Sequence, residues 1–239
     1  MLPAACSPTN CHPLHRRIAR HARALAAALG LLGLLGLSAP AFATSVTVTM
    51  TGVWTFVDDT GSVLGGAITP GSAFSATLVY DDATLDSNPD STAYGNYAVA
   101  PTQFGFTVTS GGFTFSQVFG GLNTIDVLDP GTGDGVSTYA EDLAVSPPVG
   151  PIGFSWAAVS LDDPSGTALS SDALTGVPWT LSSWASAGVT VFADIDDGNP
   201  LTTFDLEGDI TSLTATPEPG TSTLVLAGLV LLDSRARRR

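Results

Sequence analysis

Every positively charged residue, every histidine and every cysteine of this chain lies close to one of its two ends. The eight basic residues are all arginines, confined to the first 23 and the last five residues. The stretch from Thr44 to Thr216 carries 20 of the 22 acidic residues and contains no Lys, Arg, His or Cys. This middle region must therefore fold without internal ion pairs, disulfides or Cys/His metal sites, and apolar burial and backbone hydrogen bonds must stabilise it.

The same composition excludes several classes of function for the middle region. Histidine bases, cysteine nucleophiles, lysine Schiff bases and arginine phosphate clamps are all missing from it. Its formal charge of −20 would repel phosphate, whereas a nucleic-acid binder needs a basic surface. We therefore expect neither an enzyme nor a partner of nucleic acid.

Short alternating segments separated by turn residues predict the fold class. Two alternating runs, Phe104–Thr109 and Phe113–Phe119, flank Ser110-Gly111-Gly112 and predict a β-hairpin. Further strands are predicted at Ser45–Val57, Phe74–Tyr80, Thr124–Leu128, Val136–Ala140, Phe154–Leu161, Trp179–Trp184, Val189–Ala193 and Leu201–Thr214. About ten short strands at this spacing predict an all-β domain over 44–216, an antiparallel β-sandwich or jelly roll.

The N-terminal segment predicts a secretory signal. The basic stretch Arg16–Arg23 precedes an uninterrupted run of Ala, Leu and Gly, Ala24–Leu37, and then Ala41-Phe42-Ala43. This apolar run fits a signal peptide and is short for a transmembrane helix. We expect residues 1–43 to be removed by signal peptidase after Ala43, which would also remove both cysteines; a retained N-terminal anchor is the alternative.

The C-terminal segment combines three features in 217–239. Pro217-Glu218-Pro219 is followed by the apolar run Thr221–Leu232 and by arginines between Arg235 and Arg239. As a helix, the apolar run would span about 18 Å, against a hydrocarbon core of about 30 Å. Residues 221–232 therefore predict a short apolar helix that anchors the chain transiently in the inner membrane, with the arginines on the cytoplasmic side.

This tripartite tail resembles the PEP-CTERM sorting signal. The resemblance implies recognition by an exosortase, a membrane transpeptidase, through Pro217, Glu218 and Pro219 and the arginine cluster that includes Arg237, Arg238 and Arg239. It implies delivery to the cell surface or extracellular matrix of a Gram-negative bacterium, with a role in biofilm or exopolysaccharide. Asp233 departs from the pattern by placing a charge between helix and arginines. A proline linker before an ordinary tail anchor is the alternative.

The middle region also has a looser resemblance to a subset of PEP-CTERM ectodomains. The shared features are Gly65-Gly66, a strand that ends in Tyr80-Asp81, and a polar loop of Asp, Asn and Pro after it. This resemblance implies no known activity.

Two groups of acidic residues are candidate calcium sites. Asp86-x-Asn88-x-Asp90 has the spacing that opens a calcium loop, and Asp194-x-Asp196-Asp197 is a second dense group. Hard oxygen ligands on flexible loops suit Ca²⁺, and no internal cation is available to neutralise these carboxylates. The alternative is that Asp and Asn serve as turn formers and solvated charges.

The sorting signal leads us to expect a structural or adhesive role in an extracellular polysaccharide layer. A lectin-like glycan-binding module is the alternative, and a glycoside hydrolase based on Glu141 and Glu207 is a further one. Aromatic rings could stack on sugars. Trp54 and Trp156 lie in strand patterns and predict core positions, whereas Trp179 and Trp184 follow Pro178 and predict greater exposure. Core packing is still the default for each of the four, because large aromatic side chains dominate protein cores.

Overall fold

The computed structural model describes residues 45–100, 102–117, 121–198 and 202–217. They form eleven strands and two single-turn 3-10 helices, Leu174–Gly176 and Leu181–Ser183. The strands are β1 (Ser45–Thr60), β2 (Ala73–Asp81), β3 (Tyr94–Ala98), β4 (Gly105–Ser110), β5 (Phe113–Gln117), β6 (Asn123–Leu128), β7 (Asp134–Glu141), β8 (Leu143–Ser146), β9 (Ile152–Asp163), β10 (Ser186–Ile195) and β11 (Thr203–Pro217). The predicted all-β class is confirmed, and the Phe104–Phe119 hairpin corresponds to β4 and β5.

All eleven strands belong to one antiparallel, curled sheet. Their order is β3-β6-β7-β9-β10-β11-β1-β2-β4-β5-β8. The sequence predicts a sandwich or jelly roll, but the hydrogen bonding joins the two halves of the sheet through the long strands β1 and β11. β2 pairs with β1 from Ser45 to Val53, and β10 pairs with β11 from Thr203 to Asp209. The central strand pair therefore continues from one half of the sheet into the other.

The bend between the halves is built from bulges and glycines. Register shifts interrupt the β1–β11 ladder between Thr51 and Gly52 and again after Trp54, and bulges bend a strand. Close packing there excludes side chains. A Cβ at Gly52 would lie 2.1 Å from the Asp209 carbonyl oxygen, and one at Gly208 would lie 2.7 Å from the Phe74 ring.

A single hydrophobic core fills the concave side of the sheet. Alternate residues of nearly every strand point into it, among them Val48, Met50, Leu78, Phe115 and Val191. Trp54 lies at its centre, where its ring packs 4.5 Å from that of Phe74 and its indole N–H donates to Ser110 Oγ at 2.9 Å. Burial of alternate side chains is what the period-2 sequence pattern predicts.

The segment Trp179–Trp184 is not a strand, so that prediction is wrong. It contains the 3-10 helix Leu181–Ser183, whose turn is supported by a 2.9 Å contact between the Thr180 and Ser183 hydroxyls. The two indoles pack into the core because their N–H groups find acceptors nearby. Trp179 donates to Tyr80 Oη at 2.8 Å, and Trp184 donates to the Pro178 carbonyl at 2.9 Å.

Within the described ranges, no helix has the length and apolar character needed to cross a membrane. The signal segment 1–43 and the apolar run 221–232 lie outside the described residues.

Candidate functional site

The first predicted calcium group stabilises its own loop through hydrogen bonds. Asp86 Oδ1 accepts the backbone N–H of Asn88 at 2.8 Å and that of Asn96 at 2.9 Å. The Asn88 side chain donates to the Tyr94 carbonyl at 3.2 Å, and Asp90 is exposed. The Asp86 carboxylate therefore has a structural role in closing the loop before β3, as an Asx turn does.

The second predicted group is spread over a strand end and the loop after it. Asp194 lies on the outer face of β10, Asp196 is exposed in the loop, and Asp197 Oδ2 accepts the Thr202 hydroxyl at 2.9 Å. Across the part of the chain that the structure describes, no group of three Asp, Glu, His or Cys side chains is arranged to hold a metal ion. Calcium binding at these two groups stays a prediction.

The predicted sorting residues lie at the boundary of the described chain. Pro217 is the last residue of β11, where it lies opposite Val46. Ala43, Glu218, Pro219, Arg237, Arg238 and Arg239 lie outside the described residues.

Core packing, the default for each tryptophan, holds for three of the four, but the expected greater exposure of Trp179 and Trp184 and the core position of Trp156 are wrong. Trp54 is in the core as predicted, but Trp179 and Trp184 are buried, with 6% and 7% of their surface exposed. Trp156, predicted to be in the core, lies on the outer face of β9. Its neighbour Ser155 takes the inward position, where its hydroxyl accepts the Leu143 N–H at 2.8 Å. The sequence pattern suggests that the apolar tryptophan points inward and the polar serine outward, and the structure shows the opposite.

Trp156 belongs to a straight row of side chains that crosses five neighbouring strands. Glu141 of β7 lies opposite Trp156 of β9, which lies opposite Phe192 of β10. Phe192 in turn lies opposite Asp205 of β11, and Asp205 lies opposite Asp58 of β1. All five residues face outward from the core. We call these residues the acidic-aromatic row: two aromatic rings at the centre, with carboxylates at both ends.

Further rings extend the aromatic centre of this row. The Trp156 ring centroid lies 6.2 Å from that of Phe192 and 5.6 Å from that of Tyr139, and both pairs are stacked. Phe154 packs 6.4 Å from Phe192 and remains 45% exposed. Such cross-strand aromatic pairs stabilise a sheet, and here the rings of Tyr139, Trp156 and Phe192 also remain partly exposed to water.

The carboxylates at the β11–β1 end of the row repel one another. Partial burial, followed by the charges of Glu207 and Asp58, raises the pKa of Asp205 above its usual range. Asp205 Oδ1 is buried without a hydrogen-bond partner. At the other end, partial burial and then the Glu141 charge raise the pKa of Tyr139. The row is thus a region of uncompensated negative potential around a set of rings.

A cavity of about 400 Å³ lies at the opposite end of the sheet. Val46, Tyr80, Asp82, Trp179 and Ala215 are among its lining residues. Burial raises the pKa of Tyr80 to about 12, so the phenol stays neutral and accepts the Trp179 N–H. This cavity lies beside the first residues of β1 and the last of β11, where the described chain ends.

Two further carboxylates are buried where β7 begins and β9 ends. Asp163 accepts the hydroxyls of Ser165 and Thr167 and both of their backbone N–H groups, and these hydrogen bonds lower its pKa well below the usual range. Its cross-strand neighbour Asp134 accepts the Leu169 N–H at 2.7 Å through Oδ2. The pair fastens the loop 164–169 over this end of the sheet.

The two glutamates of the hydrolase alternative are far apart. Glu141 is on β7 and Glu207 on β11, with β9 and β10 between them. Three strand spacings of about 4.8 Å separate their backbones by about 14 Å, whereas glycosidase carboxylates are about 5 to 9.5 Å apart. The register of the sheet therefore gives this alternative no support.

Comparisons with known proteins identify no relative of this chain. No protein-family model, curated protein or solved structure matches the chain.

Proposed function

We propose that this chain is an exported protein of the cell surface or extracellular matrix, sorted by an exosortase-type system in a Gram-negative bacterium. In this proposal signal peptidase cuts after Ala43, and residues 221–232 hold the chain transiently in the inner membrane. An exosortase-like transpeptidase then acts at Pro217-Glu218-Pro219. The folded domain has a structural or adhesive role in an extracellular polysaccharide layer or biofilm.

The observation that carries this proposal is the pairing of the first and last strands. β1 and β11 run antiparallel at the centre of the sheet, with Val46 opposite Pro217. The predicted signal cleavage point directly precedes β1 in sequence, and the Pro-Glu-Pro motif begins at the last residue of β11. A domain whose described chain begins and ends at the same end of its two central strands can be held there while the rest of its sheet is displayed.

Cell fractionation tests the sorting step. The full-length chain and a variant with Pro217, Glu218 and Pro219 all replaced by alanine are expressed in an exopolysaccharide-producing host with an exosortase. We expect the unmodified chain in the matrix fraction and the triple variant in the inner-membrane fraction. Asp233→Ala, a change in the same tail outside the motif, is the control and should behave as the unmodified chain. Equal distribution of all three chains would refute the sorting proposal.

A lectin-like module is the second candidate function. The specific observation in its favour is the set of partly exposed rings around Trp156, since aromatic faces can stack on sugars. In this candidate function the domain is a framework of the sandwich or jelly-roll kind that the sequence predicts. The convex surface of its curled sheet would be available to a glycan.

A further inference from the structure

We propose that the acidic-aromatic row binds a polysaccharide that carries free amino groups. The inference deepens the proposed extracellular role and rests on it for the biological setting. The binding chemistry itself can be tested without any export step.

The first argument is the partly exposed apolar surface at the centre of the row. Tyr139, Phe154, Trp156 and Phe192 lie on three neighbouring strands, with consecutive ring centroids 5.6 to 6.4 Å apart. On the adjoining part of β1, Phe56 is 47% exposed. Contiguous exposed rings of this kind mark interaction surfaces. Rings also offer the C–H faces of sugars an apolar platform, and their negative faces attract cations.

The second argument is charge complementarity. Glu141 ends the row on one side and Asp205 and Asp58 end it on the other, with Glu207 beside them. One oxygen of Asp205 is buried without a partner, and residues 44–216 contain no cationic side chain that could pair with it. Any positive charge that compensates the row must come from outside residues 44–216, and a cationic ligand is one source. An anionic polysaccharide would be repelled, whereas ammonium groups on a sugar chain would be attracted to both ends of the row.

The third argument is shape. The row crosses five strands, so that at a spacing of about 4.8 Å it is about 19 Å long. It lies on an open sheet face and is not the lining of a closed pocket. Such a surface fits a polymer that lies across the strands, with amino groups near the carboxylates and sugar rings against the aromatic centre.

The fourth argument is position. Asp58 and Asp205 are each twelve residues along their strands from Val46 and Pro217. At about 3.3 Å per residue, this is about 40 Å measured along the bent strands from the end where the described chain begins and ends. A domain held at that end presents the row away from its attachment point.

Binding of two sugar hexamers tests the proposal. The full-length chain is titrated by calorimetry with a hexamer of glucosamine and with the matching hexamer of N-acetylglucosamine, which has the same backbone without the charge. We expect saturable binding of the amino hexamer that weakens as salt is raised. Trp156→Ala and Asp205→Asn should each weaken it by about tenfold.

Asp209→Asn is the matched control. Like Asp205→Asn, it removes one charge from the outer face of β11. Asp209 lies opposite Val53 and Gly188, outside the row, so this variant should bind the amino hexamer with an affinity within about twofold of that of the unmodified chain. Because Asp205 is partly buried beside Glu207 and Asp58, Asp205→Asn should fold at least as stably as the unmodified chain, and urea unfolding of the variant separates a loss of binding from misfolding.

Three results would overturn the proposal. The first is no binding of the amino hexamer, and the second is equal binding of the N-acetylated one. The third is binding of polylysine at the same site that depends on Asp205 but is unaffected by Trp156→Ala, which would indicate a basic protein partner. A failure of sorting in the fractionation experiment would leave these binding results unchanged, so the two proposals can fail separately.

Discussion

Two aspartates of this domain show how environment sets the role of one residue type. Asp163 is held by hydroxyl and backbone donors that stabilise its charged form, so its pKa is lowered. Asp205 is partly buried near two like charges, so its pKa is raised. The first carboxylate therefore stabilises the fold when ionised, and the second destabilises it.

The two aspartates should give opposite pH dependences when each is changed to asparagine. Above the ordinary Asp pKa of about 3.9, Asp163→Asn should be less stable than the unmodified protein. As pH falls below that value, the unmodified protein loses this advantage and the difference shrinks. Asp205→Asn should instead be more stable near pH 7, and its advantage should disappear as the native carboxylate becomes protonated on acidification. Urea unfolding at several pH values measures both, and shifts of the same sign would contradict the assignment.

At the scale of the elements, the bulged part of the β1–β11 pair, around Gly52 and Gly208, determines where the sheet bends. Gly52 and Gly208 allow the backbone and the Trp54 and Phe74 rings to approach closely. The sequence shows glycines within two strand patterns, but contacts such as that of Gly52 with Asp209 or of Gly208 with Phe74 join residues more than a hundred positions apart. The bulges between them allow one sheet to curl around a single core.

Gly208→Ala should be strongly destabilising. Its new Cβ would lie 2.7 Å from Phe74, 2.8 Å from Trp54 and 2.8 Å from the Val53 carbonyl oxygen, so rings and backbone must both shift. Overpacking of this kind costs about 1–3 kcal/mol or more. Gly105→Ala, also in a strand, is the control, because its nearest contact would be Val79 Cβ at 3.8 Å. Equal unfolding midpoints for the two variants in urea would show that the bend of the β1–β11 pair tolerates a side chain at position 208.

At the scale of the whole molecule, unbalanced charge is the dominant property. Residues 44–216 carry a formal charge of −20 with no internal cation. Self-repulsion of this size opposes the compact state and is weakened by salt. The same repulsion protects exposed sheet edges from pairing with other chains.

Thermal unfolding in different salts separates screening from specific binding. NaCl should raise the midpoint by screening. If the Asp86 or Asp194 groups bind Ca²⁺, millimolar CaCl₂ should raise it further at equal ionic strength, relative to EDTA. A site occupied at 100 times its Kd adds about 2.7 kcal/mol, which amounts to several degrees for a domain of this size. Asp194→Asn and Asp86→Asn then show which group is responsible. No excess over NaCl would mean that the calcium prediction is wrong.

The sequence by itself determined the all-β class, the alternation of buried side chains and the absence of a protein cation in the middle region, because these depend on composition and on a local period of two residues. Only the tertiary structure decided which face each residue occupies and which strands meet. Trp156 faces outward, and Ser155 faces inward, where its hydroxyl accepts the Leu143 N–H. The row from Glu141 to Asp58 exists because β7, β9, β10 and β11 pair in one register and β11 also pairs with β1, which is distant from it in sequence. Register is set by long-range packing and backbone hydrogen bonds, and a shift of one residue would turn every side chain of a strand to the opposite face.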